Sequence, residues 1–301
     1  MASAPGSEPG QGDGAGSVSV VIACFDHGHY LGEAIESVLA QTVAAAEVLV
    51  VDDGSRDNSF EVAGRYPVRR LRQGNAGPAA ARNAGLAASS RECVVFLDAD
   101  DRLLPEALEV GVAALSAHPR AALVSGISRD IGTDGRSIRS ERQPLVSQDH
   151  YLRLLEDCFI WSGSSITHRR SALESVGGFD ESLRSGEDYD LYLRLARRFP
   201  IFCHDTVVTE YRRHAANTTR DPAIVLGSQL EVLRRQRSLL LDRRERRARA
   251  GGIRATRDRH GRALARQTAL AWRGRQWRAA LRGAGTLARW DPRSLARVLA
   301  A

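Results

Sequence analysis

Val94-Val95-Phe96-Leu97-Asp98-Ala99-Asp100-Asp101 is the stretch on which the architecture of this chain turns. β-branched and aromatic residues form a buried strand, and an acidic cluster begins where that strand must end. Three carboxylates delivered to one point repel one another, so the cluster calls for a cation. Mg²⁺ or Mn²⁺ carrying a phosphate suits it, because hard cations prefer oxygen ligands. The competing explanation is an acidic cap at a strand-to-helix turn, where aspartate is also favoured.

Outward from this stretch, the first 220 residues alternate strands and helices. Upstream, Val18–Phe25 is a continuous apolar strand, and His29–Gln41 places Leu31, Ile35, Val38 and Leu39 at helical spacing. Glu47–Val51 is a second strand, ending at Asp52-Asp53-Gly54-Ser55. Asp57 caps a helix to about Tyr66, and Gly77–Ala88 is a helix of small residues that packs tightly. Downstream come a helix over Pro105–Ala117 and a strand over Ala121–Gly126. A polar loop over Gly132–Gln143, a strand over Trp161–His168, a helix over Glu187–Arg198 and a strand over Thr206–Tyr211 follow. The alternation predicts an α/β fold with a mostly parallel sheet flanked by helices. In such sheets ligands bind beyond the carboxyl ends of the strands, where Asp53 and the Asp98 cluster both lie. Two acidic strand ends in one crevice exceed what capping requires.

Composition narrows the class. The 301 residues hold one large domain or two small ones, and 43% apolar content is ordinary for a soluble protein. No apolar run approaches the ~18–20 residues of a membrane helix. Residues 1–17 are rich in Gly, Ser and Ala and lack Arg, the composition of a disordered leader. Cys24, Cys93, Cys158 and Cys203 form no C-x-x-C pair, so reduced thiols in a cytoplasmic protein are expected. All 43 basic residues are Arg, which excludes a catalytic lysine. Residues 221–301 carry 20 Arg against 6 acidic residues, a net +14; with +7 for the whole chain, residues 1–220 carry −7.

Val18-Ser19-Val20-Val21-Ile22-Ala23-Cys24-Phe25-Asp26, Val50-Val51-Asp52-Asp53-Gly54-Ser55, Asn75-Ala76-Gly77 and Ala81-Arg82-Asn83-Ala84-Gly85 follow one another in a recognisable order. With Phe96-Leu97-Asp98-Ala99-Asp100-Asp101 and Gly186-Glu187-Asp188-Tyr189-Asp190-Leu191, they resemble family 2 glycosyltransferases over roughly residues 17–220. The resemblance implies a GT-A (nucleotide-diphospho-sugar transferase) fold, a nucleotide-sugar donor and inversion at the anomeric carbon. It divides the chain into the leader 1–17, a catalytic domain 18–222 and an Arg-rich helical extension 223–301. One departure is visible: Phe25-Asp26 stands where the family has Tyr-Asn, so the aromatic face remains without its hydroxyl.

The resemblance assigns nucleotide binding to Ala23, Phe25, Asp53, Arg82 and Asp98. Asp53 accepts a hydrogen bond from the imide N–H of uracil, which favours UDP; its alternative is a turn residue in Asp-Gly-Ser. Asp100 is the first choice as ligand for Mn²⁺ or Mg²⁺. Asp98, bound directly or through water, Asp101 and His214 are further candidates. Arg82 binds the diphosphate or makes a structural salt bridge. Asp188 is the general base that takes the acceptor proton, with Glu187 binding acceptor or orienting the site. The same pair also suits a helix N-terminus without any catalytic part. Trp161 stacks on an acceptor sugar or fills the core. His27 and His29, lacking carboxylate or Cys partners in sequence, make no zinc site by themselves.

Other classes fit less well. A haloacid dehalogenase phosphatase also uses a strand-end Asp-x-Asp, but Arg102 occupies its expected Thr or Val position and the chain has no Lys. A dinucleotide oxidoreductase would place its glycines after the first strand, whereas Gly12-Asp13-Gly14-Ala15-Gly16 precedes it. Basic content without a recognition motif argues against specific nucleic-acid binding. A catalytically weak nucleotide-sugar-binding or Arg-rich interaction protein is the remaining alternative. In the extension, Leu226, Leu230, Leu233 and Leu240 mark one apolar stripe and Leu270, Trp277 and Leu281 another, separated by Gly251-Gly252. Arg among Leu and Trp at helical spacing is the pattern of interfacial helices, so 226–301 is expected to touch the cytoplasmic face of a membrane near a glycan or lipid-linked acceptor. Ordinary helices packed on the catalytic domain are the alternative.

Overall fold

The computed structural model describes residues 18–138 and 143–299. The expected leader 1–17 lies outside the described residues, as do 139–142 of the expected polar loop. Among the described residues, eight strands form one sheet: β1 (Val18–Cys24), β2 (Glu47–Asp52), β3 (Arg69–Arg72), β4 (Cys93–Asp98), β5 (Arg102–Leu103), β6 (Leu123–Ile131), β7 (Ile166–Arg169) and β8 (Ile201–Arg212). Their order is β3-β2-β1-β4-β7-β6-β8-β5. β1 to β4 run parallel, β7 enters antiparallel between β4 and β6, and β8 pairs parallel with β6 and antiparallel with β5.

The central strands are buried on both faces, which explains their unbroken apolar sequences. Val20, Ile22, Val95 and Leu97 pack with Leu31 and Ile35 of the helix Gly28–Leu39. Val21, Val94 and Phe96 face the opposite layer, with Ala79 and Ala81 of the helix Pro78–Ala88 and Leu191 of the helix Glu187–Arg198. The small-residue helix does approach closely. A Cβ on Gly85 would stand 2.2 Å from Val21 Cγ1, so glycine is required there. In register, Ala23 lies beside Asp98 and Cys24 beside Asp52. The carboxyl ends of β1, β2 and β4 therefore share one edge, and the strand order reverses between β1 and β4, which opens a crevice.

Several elements differ from the sequence expectation. The strand expected over Trp161–His168 is confined to Ile166–Arg169, because Gly163–Ser165 make a 3₁₀ turn fastened by Ser164 Oγ to Asp101 and Ser165 Oγ to Ser162 O. β3 is Arg-Arg-Leu-Arg, a mostly exposed edge strand without apolar alternation, which sequence patterning does not mark. Gly251-Gly252 does not separate two helical stretches. Both lie inside the helix Arg243–Thr256, where a Cβ on Gly252 would stand 2.1 Å from Leu155 O. Gly252 permits close packing on the helix His150–Glu156, whereas Gly251 faces open space.

The C-terminal helices Pro222–Arg235, Arg243–Thr256, Arg262–Arg273, Trp277–Trp290 and Pro292–Leu299 share a small core of Leu226, Leu230, Leu264 and Leu287. Val232, Leu233 and Ala248 join the main core of the sheet. Leu270, Trp277 and Leu281 are exposed, at 67%, 51% and 65%. No described helix is long and apolar enough to cross a membrane. All four cysteines are free.

Candidate active site

A cleft of about 440 Å³ opens at the shared strand edge. Every site residue named from the sequence lines it except Asp101. Asp101 is corrected as a metal candidate. It follows β4 by three residues but turns inward and is 1% exposed. Its Oδ2 accepts from Ser164 Oγ at 2.7 Å and its Oδ1 from the Arg212 backbone N–H at 3.0 Å. Burial, with Asp100 and Asp98 close by, pushes its pKa well above the usual carboxylate range. Asp101 therefore staples the end of β8 beneath the site.

Asp100 points the other way, into the cleft. Its Oδ2 lies 2.7 Å from His214 Nε2 and 4.0 Å from His27 Nε2, and the three ligand atoms lie within 4.8 Å of one another. The positions are fixed from behind. Fully buried Arg212 donates through Nε to Asp100 O at 2.8 Å, and Asn217 Oδ1 accepts from the His214 backbone N–H at 2.5 Å. Two imidazoles and a carboxylate offer nitrogen and oxygen donors converging from three elements, a set that fits a divalent cation and suits Mn²⁺ better than Mg²⁺. His27 was not legible as a member. Its carboxylate partner is distant in sequence and is supplied by the fold. Its place just past the end of β1, on the edge that carries Asp53 and Asp98, was the available signal.

Arg82, which also lines the cleft, rises from the small-residue helix and is 6% exposed. Its Nη2 lies 2.7 Å from Asp98 Oδ1, and its Nη1 lies 2.7 Å from Glu187 Oε1 and 3.4 Å from Asp188 Oδ1. One guanidinium thus serves three carboxylates, the structural salt bridge weighed as the alternative to diphosphate binding. Glu187 and Asp188 start the helix Glu187–Arg198 behind Gly186, which adopts φ +82° and whose Cβ would press on Ser228. Burial, with Glu187 and Asp98 adding to it and Arg82 opposing, lifts Asp188 to about 7. A third of its side chain still faces the cleft, where water reaches it until substrate enters. A Cβ on Gly163 would stand 3.3 Å from Asp188 Oδ2, so the chain after Trp161 runs directly against this carboxylate. Trp161 is 40% exposed, which places it on the cleft wall and not in the core.

The nucleotide side is built on β1 and β2. Asp53 is 4% exposed; its Oδ1 accepts from Gln73 Nε2 and the Ala76 N–H, and its Oδ2 from the Gly77 N–H at 2.8 Å. A carboxylate has about four acceptor sites, so one remains for a ligand. The three bonds also hold the Asn75–Gly77 loop at the start of the helix Pro78–Ala88. Phe25 carries the Arg56 guanidinium 5.6 Å from its ring centre. Asp26, at φ +54°, locks that arrangement through Oδ2 to Arg56 Nη2 at 2.5 Å.

A cleft with these walls, at the switch point of a sheet of this order, defines a GT-A glycosyltransferase fold. The chain belongs to glycosyl transferase family 2, whose model matches residues 19–177. Among curated relatives, it is 34% identical over 173 residues to the uncharacterized glycosyltransferase alr2836 of Nostoc sp. strain PCC 7120, covering 54% of each chain. It spans about half of that relative's length and about a third of two Rickettsia glycosyltransferases. Among solved structures, S. aureus TarS 1–349 in complex with UDP-GlcNAc superposes with TM-score 0.66 at 18% identity, over 92% of this chain and 82% of that one. The mannosyltransferase PcManGT of Pyrobaculum calidifontis, in complex with GDP-Man and Mn²⁺, superposes with TM-score 0.63 at 18% identity, over 95% and 79%.

Proposed function

We propose that this chain is an inverting glycosyltransferase that moves a sugar from a UDP-sugar to a hydroxyl of a glycan or lipid-linked acceptor of the cell envelope. Residues 18–222 form its catalytic domain and 223–301 a packed helical extension. The observation that carries the reading is a single cleft lined both by the His27, Asp100 and His214 cluster and by Asp188 and Trp161. TarS with UDP-GlcNAc and PcManGT with GDP-Man and Mn²⁺ support a nucleotide-sugar donor and a metal in this fold.

Phe25 stacks on the base, and the last acceptor site of Asp53 takes the imide N–H of uracil. Ala23 leaves room for the nucleoside, and Asp98, half-turned toward the cleft, binds the ribose. Asp100, His214 and His27 would hold Mn²⁺. Held by these residues, a divalent cation would supply Lewis-acid neutralisation of charge on a leaving diphosphate. Asp188 accepts the proton of the attacking hydroxyl, and its raised pKa makes it a stronger base than an ordinary carboxylate near neutral pH. Glu187 and Arg82 hold Asp188 in place. Trp161 offers a ring face to the acceptor sugar. The sugar carbon inverts because hydroxyl and diphosphate stand on opposite sides of it.

A donor screen tests this reading. The full chain is mixed with UDP- and GDP-sugars in Mn²⁺, and thermal stabilisation is measured, since a ligand that binds the native state raises its melting temperature by mass action. UDP-sugars should stabilise the chain most. Stabilisation by GDP-sugars alone would remove the uridine assignment, and stabilisation by none would remove the donor reading.

A further inference from the structure

The helices Arg262–Arg273 and Trp277–Trp290 form an antiparallel hairpin. Its inner face is already filled. Leu264, Ala280 and Leu287 are buried, and a Cβ on Gly283 would stand 2.2 Å from Thr268 Oγ1, so the helices touch. The apolar residues left at the tip are therefore surplus to packing. Leu270 and Leu281 are 67% and 65% exposed, and Trp272 and Trp277, at 52% and 51%, meet edge to face 5.4 Å apart. Around them stand Arg266, Arg273, Arg275 and Arg278, exposed and without an ion pair among the described residues. No acidic residue occurs from 259 to 290, which contains eight Arg.

We propose that this hairpin tip docks on an anionic bilayer surface, with the two Trp and two Leu entering the interface and the surrounding Arg meeting lipid phosphates. The chemistry selects that occupant. Trp pairs a large apolar ring with one polar N–H and favours the boundary between headgroup and acyl chain. Arg extends its charge to phosphate while its stem covers apolar surface. Exposed aliphatic side chains gain nothing on a nucleic-acid backbone, and a second copy would oppose like charge to like charge. The hairpin also touches the segment that follows the cleft rim. Arg282 lies 3.3 Å from Asp221, the N-cap of the helix Pro222–Arg235, two residues after cleft-lining Thr219. Docking would hold the cleft close to the bilayer. If the transferase reading also holds, a lipid-linked acceptor can enter from the surface.

The experiment is flotation of the full chain with vesicles of phosphatidylcholine, with or without phosphatidylglycerol, at low and high salt. Flotation is expected with phosphatidylglycerol at low salt, with a blue shift of Trp fluorescence, and release at high salt. R266Q/R273Q/R278Q should lower partitioning on the order of a hundredfold. W272A/W277A should bind more weakly and lose most of the blue shift. Both variants alter exposed side chains and should melt like the parent. Should the Trp variant melt early, L270Q/L281Q gives the same readout. Equal flotation on pure phosphatidylcholine, no flotation at all, or unchanged binding by both the Trp and Leu variants would overturn the proposal. Full competition by soluble polyphosphate with no blue shift would overturn it in favour of a polyanion site.

Discussion

Asp188 meets two opposed influences: partial burial in the cleft wall and an arginine that favours its charge. Burial wins and holds it near 7. Below that pH the carboxyl is protonated and cannot accept the hydroxyl proton. kcat/KM should therefore rise with pH through an inflection near 7, and Asp188→Asn should lose ~10²–10⁴ in rate while keeping UDP affinity. A Glu187→Gln variant that is crippled while Asp188→Asn stays active would reverse the two assignments. The same raised pKa has a consequence for stability. A carboxyl whose folded pKa exceeds its unfolded value favours folding when protonated and loses that contribution as pH rises through about 7. Asp188→Asn should accordingly melt higher than the parent above pH 7, with the difference shrinking as pH falls toward 4. A variant that melts lower at pH 8 would show that the Arg82 pairing outweighs the cost of burial.

At the scale of elements, the packing of the small-residue helix on β1 sets the depth of Arg82 and hence the spacing of the carboxylates. Gly85→Ala forces a methyl into Val21 and should cost ~1–3 kcal/mol in urea unfolding. Gly285→Ala is the contrast. It lies in the helix Trp277–Trp290 with nothing within 4 Å of the added Cβ, and should gain ~1 kcal/mol from helix propensity. The same effect at both sites would mean that the close approach is not what glycine provides at Gly85. The strands carrying Asp53 and Asp98–Asp100 were legible because β1, β2 and β4 are buried on both faces and end abruptly in carboxylates. Asp100 was the first choice, but Asp101 stayed a further candidate because their directions depend on Ser164 and Arg212, which arrive from distant elements. Trp161 could not be placed between cleft and core, because the 3₁₀ turn that interrupts the expected strand depends on Ser164 reaching Asp101. Gly251-Gly252 looked like a break because sequence shows conformational freedom and not the carbonyl oxygens that a Cβ would strike.

Across the whole molecule, an acidic cleft domain is joined to basic helices that share its core through Val232, Leu233 and Ala248. The charge division was visible in composition, and so were the Arg, Leu and Trp of the hairpin. Which of them face outward was not, because Leu264 and Leu270 have the same residue type and opposite fates. The site is assembled from three regions of the chain: His27 after β1, Asp100 after β4 and His214 after β8. Calorimetric titration of UDP into the full chain, in Mn²⁺ and in EDTA, tests that assembly most directly. Binding is expected in Mn²⁺, with a loss of at least about tenfold in EDTA or with Asp100→Asn, as follows from loss of a charged metal ligand, and unchanged affinity with Asp188→Asn. UDP binding that is indifferent to Mn²⁺ and to Asp100→Asn, or absent altogether, would contradict it.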